Sequence, residues 1–147
     1  MNNKMSNKVL IARVEHIVNF NEVDMMGVVW HGHYLRFFEM AREAFARQYG
    51  IDVTHLIEDE LRTPIVKVEI KYKAPAHYGE TLIVEARYKI EKVPKFVLNF
   101  KIFSKDSSKL LATGTTTQIF TTPQGEVFYT PPPLLEKFWR KYEENNE

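Results

Sequence analysis

The chain contains no cysteine, and that absence removes several chemistries at once. No disulfide framework, thiolate metal site or cysteine nucleophile is available, so a reducing compartment is compatible and covalent catalysis falls to another side chain. Long apolar runs are missing as well. No stretch approaches the ~20 residues a membrane helix requires, and the opening MNNKMSNK is polar with no apolar signal core. These features predict a cytoplasmic protein with no membrane span. Charge of one sign is not in excess either. Twenty Lys and Arg face nineteen Asp and Glu for a net +1, which lacks the basic footprint of a nucleic-acid partner. The six glycines form no phosphate-cradling loop or dinucleotide fingerprint. Ser104, Ser107 and Ser108 fall in a polar turn without Gly-x-Ser-x-Gly context, which argues against a serine hydrolase.

What is present is enough for one domain. At 147 residues the chain is long enough to bury about two-thirds of its unfolded surface without staples. Residues 1–8 read as a flexible tail and 9–147 as a single domain. Residues 9–20 mix β-branched and polar positions as a first strand does. From Gly32 to Tyr49 the apolar Tyr34, Phe37, Phe38, Ala41, Ala44, Phe45 and Tyr49 recur at three- and four-residue spacing, predicting a long half-buried helix. Gly50 follows as a C′ residue, and Glu43 with Arg47 offers an i,i+4 ion pair. After a possible short helix in 51–61 the period changes from 3.6 to 2. Segments 65–73, 82–90, 96–102 and 110–121 read as four further strands joined by short turns, and 134–144 as a short final helix beyond the prolines. Strands without crossover helices favour an antiparallel α+β sheet curved around the aromatic helix.

The junction between first strand and helix carries the chemistry. Phe20 to His31, FNEVDMMGVVWH, sets Asp24 in a loop beside a helix N-terminus. Such an end offers unpaired N–H groups and partial positive charge, so a neighbouring carboxylate stays ionised while the amides face developing negative charge. The ordinary role of such an aspartate is an Asx turn or N-cap. The functional alternative is a carboxylate for acyl transfer, with backbone amides between Val29 and Gly32 as oxyanion donors, one such donor being worth about 3–4 kcal/mol of barrier. Gly27 permits close backbone approach to a ligand. His31-Gly-His33 lacks a third ligand at a recognisable spacing, so no metal is expected. Glu39, flanked by Arg36 and Arg42, reads first as an ion-pair partner.

The run of Asp24, Gly27-Val28-Val29, His31, Tyr34 and Glu39 resembles the opening motif of the 4-hydroxybenzoyl-CoA thioesterase family, in particular its bacterial acyl-CoA thioesterase branch, within the hotdog-fold superfamily. IKYKAPAHYGETL at 70–82 and residues 113–125 resemble later strands and turns of the same enzymes, so the likeness spans 10–133. The resemblance implies a hotdog fold and hydrolysis of acyl-CoA, or of an acyl-carrier-protein thioester, to free acid and thiol without a cofactor. Asp24 would act as nucleophile or general base, and His31 would assist by orienting water or protonating the leaving group. Gly27, Val28, Val29 and Tyr34 would bind substrate, with Glu39 as backup catalyst. Phe20 stands where related enzymes often carry tyrosine, so a hydroxyl is missing there. Chains of this kind pair edge to edge with sites at the dimer interface, and the resemblance favours a dimer of dimers. The rival readings are a non-catalytic acyl-CoA-binding module and a hotdog hydratase or dehydratase.

Overall fold

The computed structural model describes residues 8–144; the expected tail over 1–8 lies outside the described residues except for Lys8. Strand β1 (Val9–Ile17) is followed by single 3-10 turns at Phe20–Glu22 and His31–His33, then helix α1 (Tyr34–Gln48) and the short α2 (Val53–Glu58). Strands β2 (Ile65–Tyr72), β3 (Thr81–Lys89), β4 (Lys95–Ser104) and β5 (Leu110–Ile119) follow, and α3 (Pro133–Glu144) closes the described chain. Each predicted element is present; β1, α1, α2, β2 and β5 are shorter than expected, and β4 and α3 run longer. The first strand ends at Ile17 rather than at residue 20 because Phe20–Glu22 turns to build the Asp24 loop.

The five strands form one antiparallel sheet in the order β1-β3-β4-β5-β2. Leu82, Val84, Ala86 and Tyr88 of β3 and Phe96, Leu98, Phe100 and Ile102 of β4 share its inner face, as the period-2 alternation requires. Helix α1 lies on that face, burying Tyr34, Phe37, Phe38, Ala41 and Phe45 against it. This is the hotdog arrangement. The aromatic helix seats because β5 has no side chain where the ring must go: a Cβ at Gly114 would lie 2.3 Å from Phe38 Cε2. Phe38 stacks on Phe100 with centroids 4.7 Å apart. Beyond Tyr49, Gly50 takes the left-handed φ of +70° that ends the helix, and Glu43 and Arg47 make the expected exposed pair at 2.7 Å.

Two details depart from the alternating pattern. Glu85 falls on the outer face, where solvent exposure was expected, yet it is buried. Arg13 roofs its carboxylate with contacts of 3.0 and 2.9 Å, and Arg87 adds a third at 3.6 Å, so its charge is covered but paired. Strand β2 is the opposite case, exposed along nearly its whole length at the sheet edge. Val68, Ile70 and Tyr72 pair with inner-face residues of β5, yet Val68 and Tyr72 remain exposed. Helix α2 is started by Asp52, whose Oδ1 accepts from Thr54 and His55; hydrogen bonds from the Thr54 hydroxyl and the His55 ring hold this carboxyl down at about 2.

Helix α3 closes the far end of the core. Its Trp139 Nε1–H donates to the buried Tyr88 hydroxyl at 2.7 Å, and burial pushes that phenol up to about 12. Replacing Tyr88 by Phe would strand the indole N–H, so the variant is expected to lose about 1–3 kcal/mol of stability, read as a lower urea midpoint with an unchanged m-value.

Candidate active site

The Asp24 loop is a tight hairpin built from its own backbone. Val23 and Val29 form a bridge, Asp24 N–H donates to Val28 O at 2.9 Å, Gly27 N–H to Asp24 O at 2.9 Å, and Trp30 N–H to Glu22 O at 3.0 Å. Gly27 turns the corner with φ +78°, a conformation other residues adopt at a cost of about 1–2 kcal/mol. The loop is pinned from one side by the segment after β2: Val29 N–H donates to Ala76 O and Tyr78 N–H to Gly27 O, at 2.9 and 3.0 Å. The hairpin is thus held internally by its own backbone bonds and externally through Gly27 and Val29.

Asp24 is exposed and does two jobs with its two oxygens. Oδ1 accepts from Met26 N–H at 2.8 Å and Val28 N–H at 3.4 Å, the Asx turn that loop aspartates ordinarily make. Oδ2 receives no hydrogen bond from the described residues and is left for solvent or a ligand. Of the amides expected to hold an oxyanion, Val29 and Trp30 are already engaged, by Ala76 O and Glu22 O. The N–H groups of His31 and Gly32 are the ones without a protein acceptor, at the start of the turn that runs into α1. The four-residue window thus narrows to two donors.

The remaining candidates sort by burial. His31 is exposed; its ring lies 5.1 Å from Trp30 and 6.4 Å from Tyr72, whose hydroxyl donates to His31 O at 3.0 Å. Gly27 and Val28 are half-buried in the loop. Val29 and Tyr34 are in the core, with the Tyr34 ring 5.0 Å from Tyr72 and its phenol raised by burial, so both shape the loop from below in this structure. Glu39 is held by Arg42 at 3.0 Å, the ion pair its flanking residues suggested. It lies eight residues beyond His31, ~12 Å along the helix at 1.5 Å per residue.

Two features were not legible in the motif. Phe20, Met25, Met26, Trp30 and Tyr78 stand exposed around the loop, an apolar rim that period-based reading cannot find because the loop has no period. The other is Glu22, buried to 2% exposure. Its carboxylate accepts from Asn19 N–H at 2.8 Å, meets His16 Nε2 at 2.8 and 3.0 Å, and accepts from Arg36 of α1. Burial alone would raise this carboxyl, but the hydrogen bonds from Asn19, His16 and Arg36 outweigh it and hold it below the usual glutamate range. A carboxyl lowered on folding stabilises the folded chain above its ordinary value, and that share is lost as pH falls through the lower folded value.

The match to known families now bears on this geometry. Residues 18–138, most of the chain, match the thioesterase-like superfamily. The chain belongs to that superfamily. Among relatives, YneP of Bacillus subtilis, a candidate acyl-CoA thioesterase, is 35% identical over 74 residues, covering 50% of this chain and 54% of YneP; the chain spans about half the length of that relative. The 1,4-dihydroxy-2-naphthoyl-CoA hydrolase of Rippkaea orientalis is 28% identical over 134 residues, 88% of this chain and 95% of that one. The crystal structure of a 1,4-dihydroxy-2-naphthoyl-CoA thioesterase from Synechocystis superposes with a TM-score of 0.78 at 22% identity, covering 92% of this chain and 97% of that chain. That likeness establishes the fold.

In this thioesterase-like chain one sizeable cavity lies away from Asp24. About 510 Å³ opens between α1, α2 and the sheet, floored by Phe45, Phe96 and Phe120 and rimmed by Glu39, Arg42 and Gln118. Arg42 crosses its mouth to Glu39, Gln118 and Thr116. The Asp24 loop combines an unengaged carboxylate oxygen, Oδ2, with the unengaged His31 and Gly32 N–H groups that follow it. Among the described residues no cluster of three His, Cys, Asp or Glu could hold a metal ion, and no helix is long and apolar enough to cross a membrane.

Gly32 ties the rim to the amides. A Cβ there would lie 2.2 Å from Trp30 Cζ3, so Gly32→Ala is expected to expel the indole and shift tryptophan emission to the red. Trp139, buried in the core, supplies the unshifted component of the same spectrum.

Proposed function

We propose that this chain is an acyl-CoA thioesterase that hydrolyses its substrate to free acid and coenzyme A, with Asp24 as the principal catalytic group. The observation that carries the reading is the free Asp24 Oδ2 on a hairpin whose continuation presents the unpaired His31 and Gly32 N–H groups. In the nucleophilic route the carboxylate attacks the thioester carbonyl, forming an acyl–aspartyl anhydride as the C–S bond breaks, and water then cleaves the anhydride. In the general-base route Asp24 takes a proton from the attacking water. Both routes pass through an oxyanion that the two amides stabilise as fixed donors. The exposed His31 ring, beside Trp30 and Tyr72, is suited to orient that water or to protonate the departing sulfur.

The apolar rim supports an acyl or pantetheine chain lying across the loop, and the relatives act on acyl-CoA and aromatic-CoA thioesters by their names. Glu39 is the second candidate, at the mouth of the cavity farther along α1. Strand β2 supports pairing: its free edge with exposed Val66, Val68 and Tyr72 is the kind of edge that natural sheets cover or pair. We place a second copy there, edge to edge, and a dimer of dimers beyond it.

Thiol release from a graded panel of acyl-CoA substrates tests the chemistry. Asp24→Asn is expected to lower kcat by about 10²- to 10⁴-fold in a protein with native circular dichroism, and label entering Asp24 during single-turnover hydrolysis in ¹⁸O-water marks the nucleophilic route with water attacking the aspartyl carbonyl. Hydration of crotonyl-CoA without thiol release would favour a hydratase instead. Sedimentation is expected to give a mass of two or four chains, and a charged residue at Val68 is expected to shift it to one.

A further inference from the structure

The most buried carboxylate in the described chain is not Asp24 but Glu22, two residues before it, and the thioester chemistry proposed above makes no use of it. Burying an acid costs several kcal/mol unless it is paired, so its surroundings are informative. Its contacts close the hairpin and tie it to the elements on either side. Its backbone carbonyl accepts from Trp30 N–H at 3.0 Å, closing the base of the hairpin. Its carboxylate reaches His16 on β1, Asn19 N–H in the turn before the loop, and Arg36 in the first turns of α1. His16 and Arg36 both lie against Phe37, the imidazole 4.9 Å from its ring and the guanidinium 5.4 Å from it. Phe37 is fully buried in the core.

One side chain therefore joins the strand before the loop, the hairpin that carries Asp24, and the helix whose start carries the His31 and Gly32 amides. Backbone bonds fix the hairpin internally and against Ala76 and Tyr78, but among the contacts described only Glu22 spans hairpin, strand and helix at once. We infer that Glu22 is a positioning residue, a three-way clamp with His16 and Arg36 that sets the separation and angle between the Asp24 carboxylate and the oxyanion amides. The inference rests on the thioesterase reading and deepens it.

A clamp of this kind acts on kcat. Substrate binds along the rim whether or not the two halves of the site are in register, whereas the transition state needs both at once, and misplacement by about 1 Å costs up to 10²-fold. The experiment compares the full native chain with Glu22→Gln, Arg36→Gln and Arg36→Lys, reading steady-state thiol release per folded molecule and amide hydrogen exchange. Glu22→Gln is expected to lower kcat by about 10- to 100-fold with KM held within about twofold. Exchange at the Asp24 and Trp30 amides accelerates while β3 and β4 amides keep native protection. Arg36→Gln shows a smaller loss of the same kind and Arg36→Lys recovers part of it, which keeps the test open if the buried substitution fails to fold.

Native kcat in the folded variants, or a loss confined to KM, overturns the clamp, as does unchanged exchange in the loop. The two readings fail separately. A native chain that releases no thiol from any acyl-CoA overturns the thioesterase reading and the clamp with it, whereas an active native chain with indifferent Glu22 and Arg36 variants overturns the clamp alone.

Discussion

The seating of Phe38 over Gly114 is the contact on which the rest of the molecule depends. An aromatic helix can lie close to a sheet only where the sheet leaves room, and β5 leaves it by omitting a side chain at the point of closest approach. With Phe38 stacked on Phe100 and Phe37 and Phe45 buried on either side, α1 has one depth and one rotation. That rotation decides where its first turn points. The unpaired amides at His31 and Gly32, the Arg36 guanidinium and the Glu39–Arg42 pair all inherit their positions from it, so the packing of the core is also the alignment of the site.

Around that helix the protein separates tasks that one residue would perform badly. Asp24 uses one oxygen to hold its own turn and leaves the other uncommitted, so the carboxylate is oriented without being neutralised. Glu22 does the reverse: both its oxygens are engaged and it is sealed from solvent, which suits an anchor and disqualifies it from acid–base work. Two acids two residues apart thus differ in environment, one facing water and the other facing His16, Asn19 and Arg36. The cavity beneath Arg42 is a third environment, apolar in its floor and guarded by a polar mouth, and its volume alone says nothing of catalysis.

The expectation for Glu39 shows how far spacing reaches. Its i,i+3 relation to Arg42 was readable and the ion pair is there, because neighbours on a helix surface are set by the helix itself. The symmetrical expectation for Arg36 was not met: it turns away from Glu39 to Glu22, fourteen residues earlier, a contact made only once the hairpin has folded against α1. The same limit applies to the amides proposed as oxyanion donors. Sequence bounded them to Val29 through Gly32, and the pairing of Val29 with Ala76 and Trp30 with Glu22 removed two.

By itself the sequence determined the elements and their class: period 3.6 with an aromatic stripe, Gly50 after the helix, four later segments of period 2, and a loop aspartate ahead of a helix. These are local properties, written in residues a few positions apart. Only the tertiary structure decided that Glu85 on the outer face is buried beneath Arg13, that Tyr34 and Val29 point into the core, that β2 is an exposed edge strand, and that Glu22 is buried among His16, Asn19 and Arg36. Each of those depends on residues distant in sequence meeting in space, and no spacing along the chain encodes which of them water will still reach.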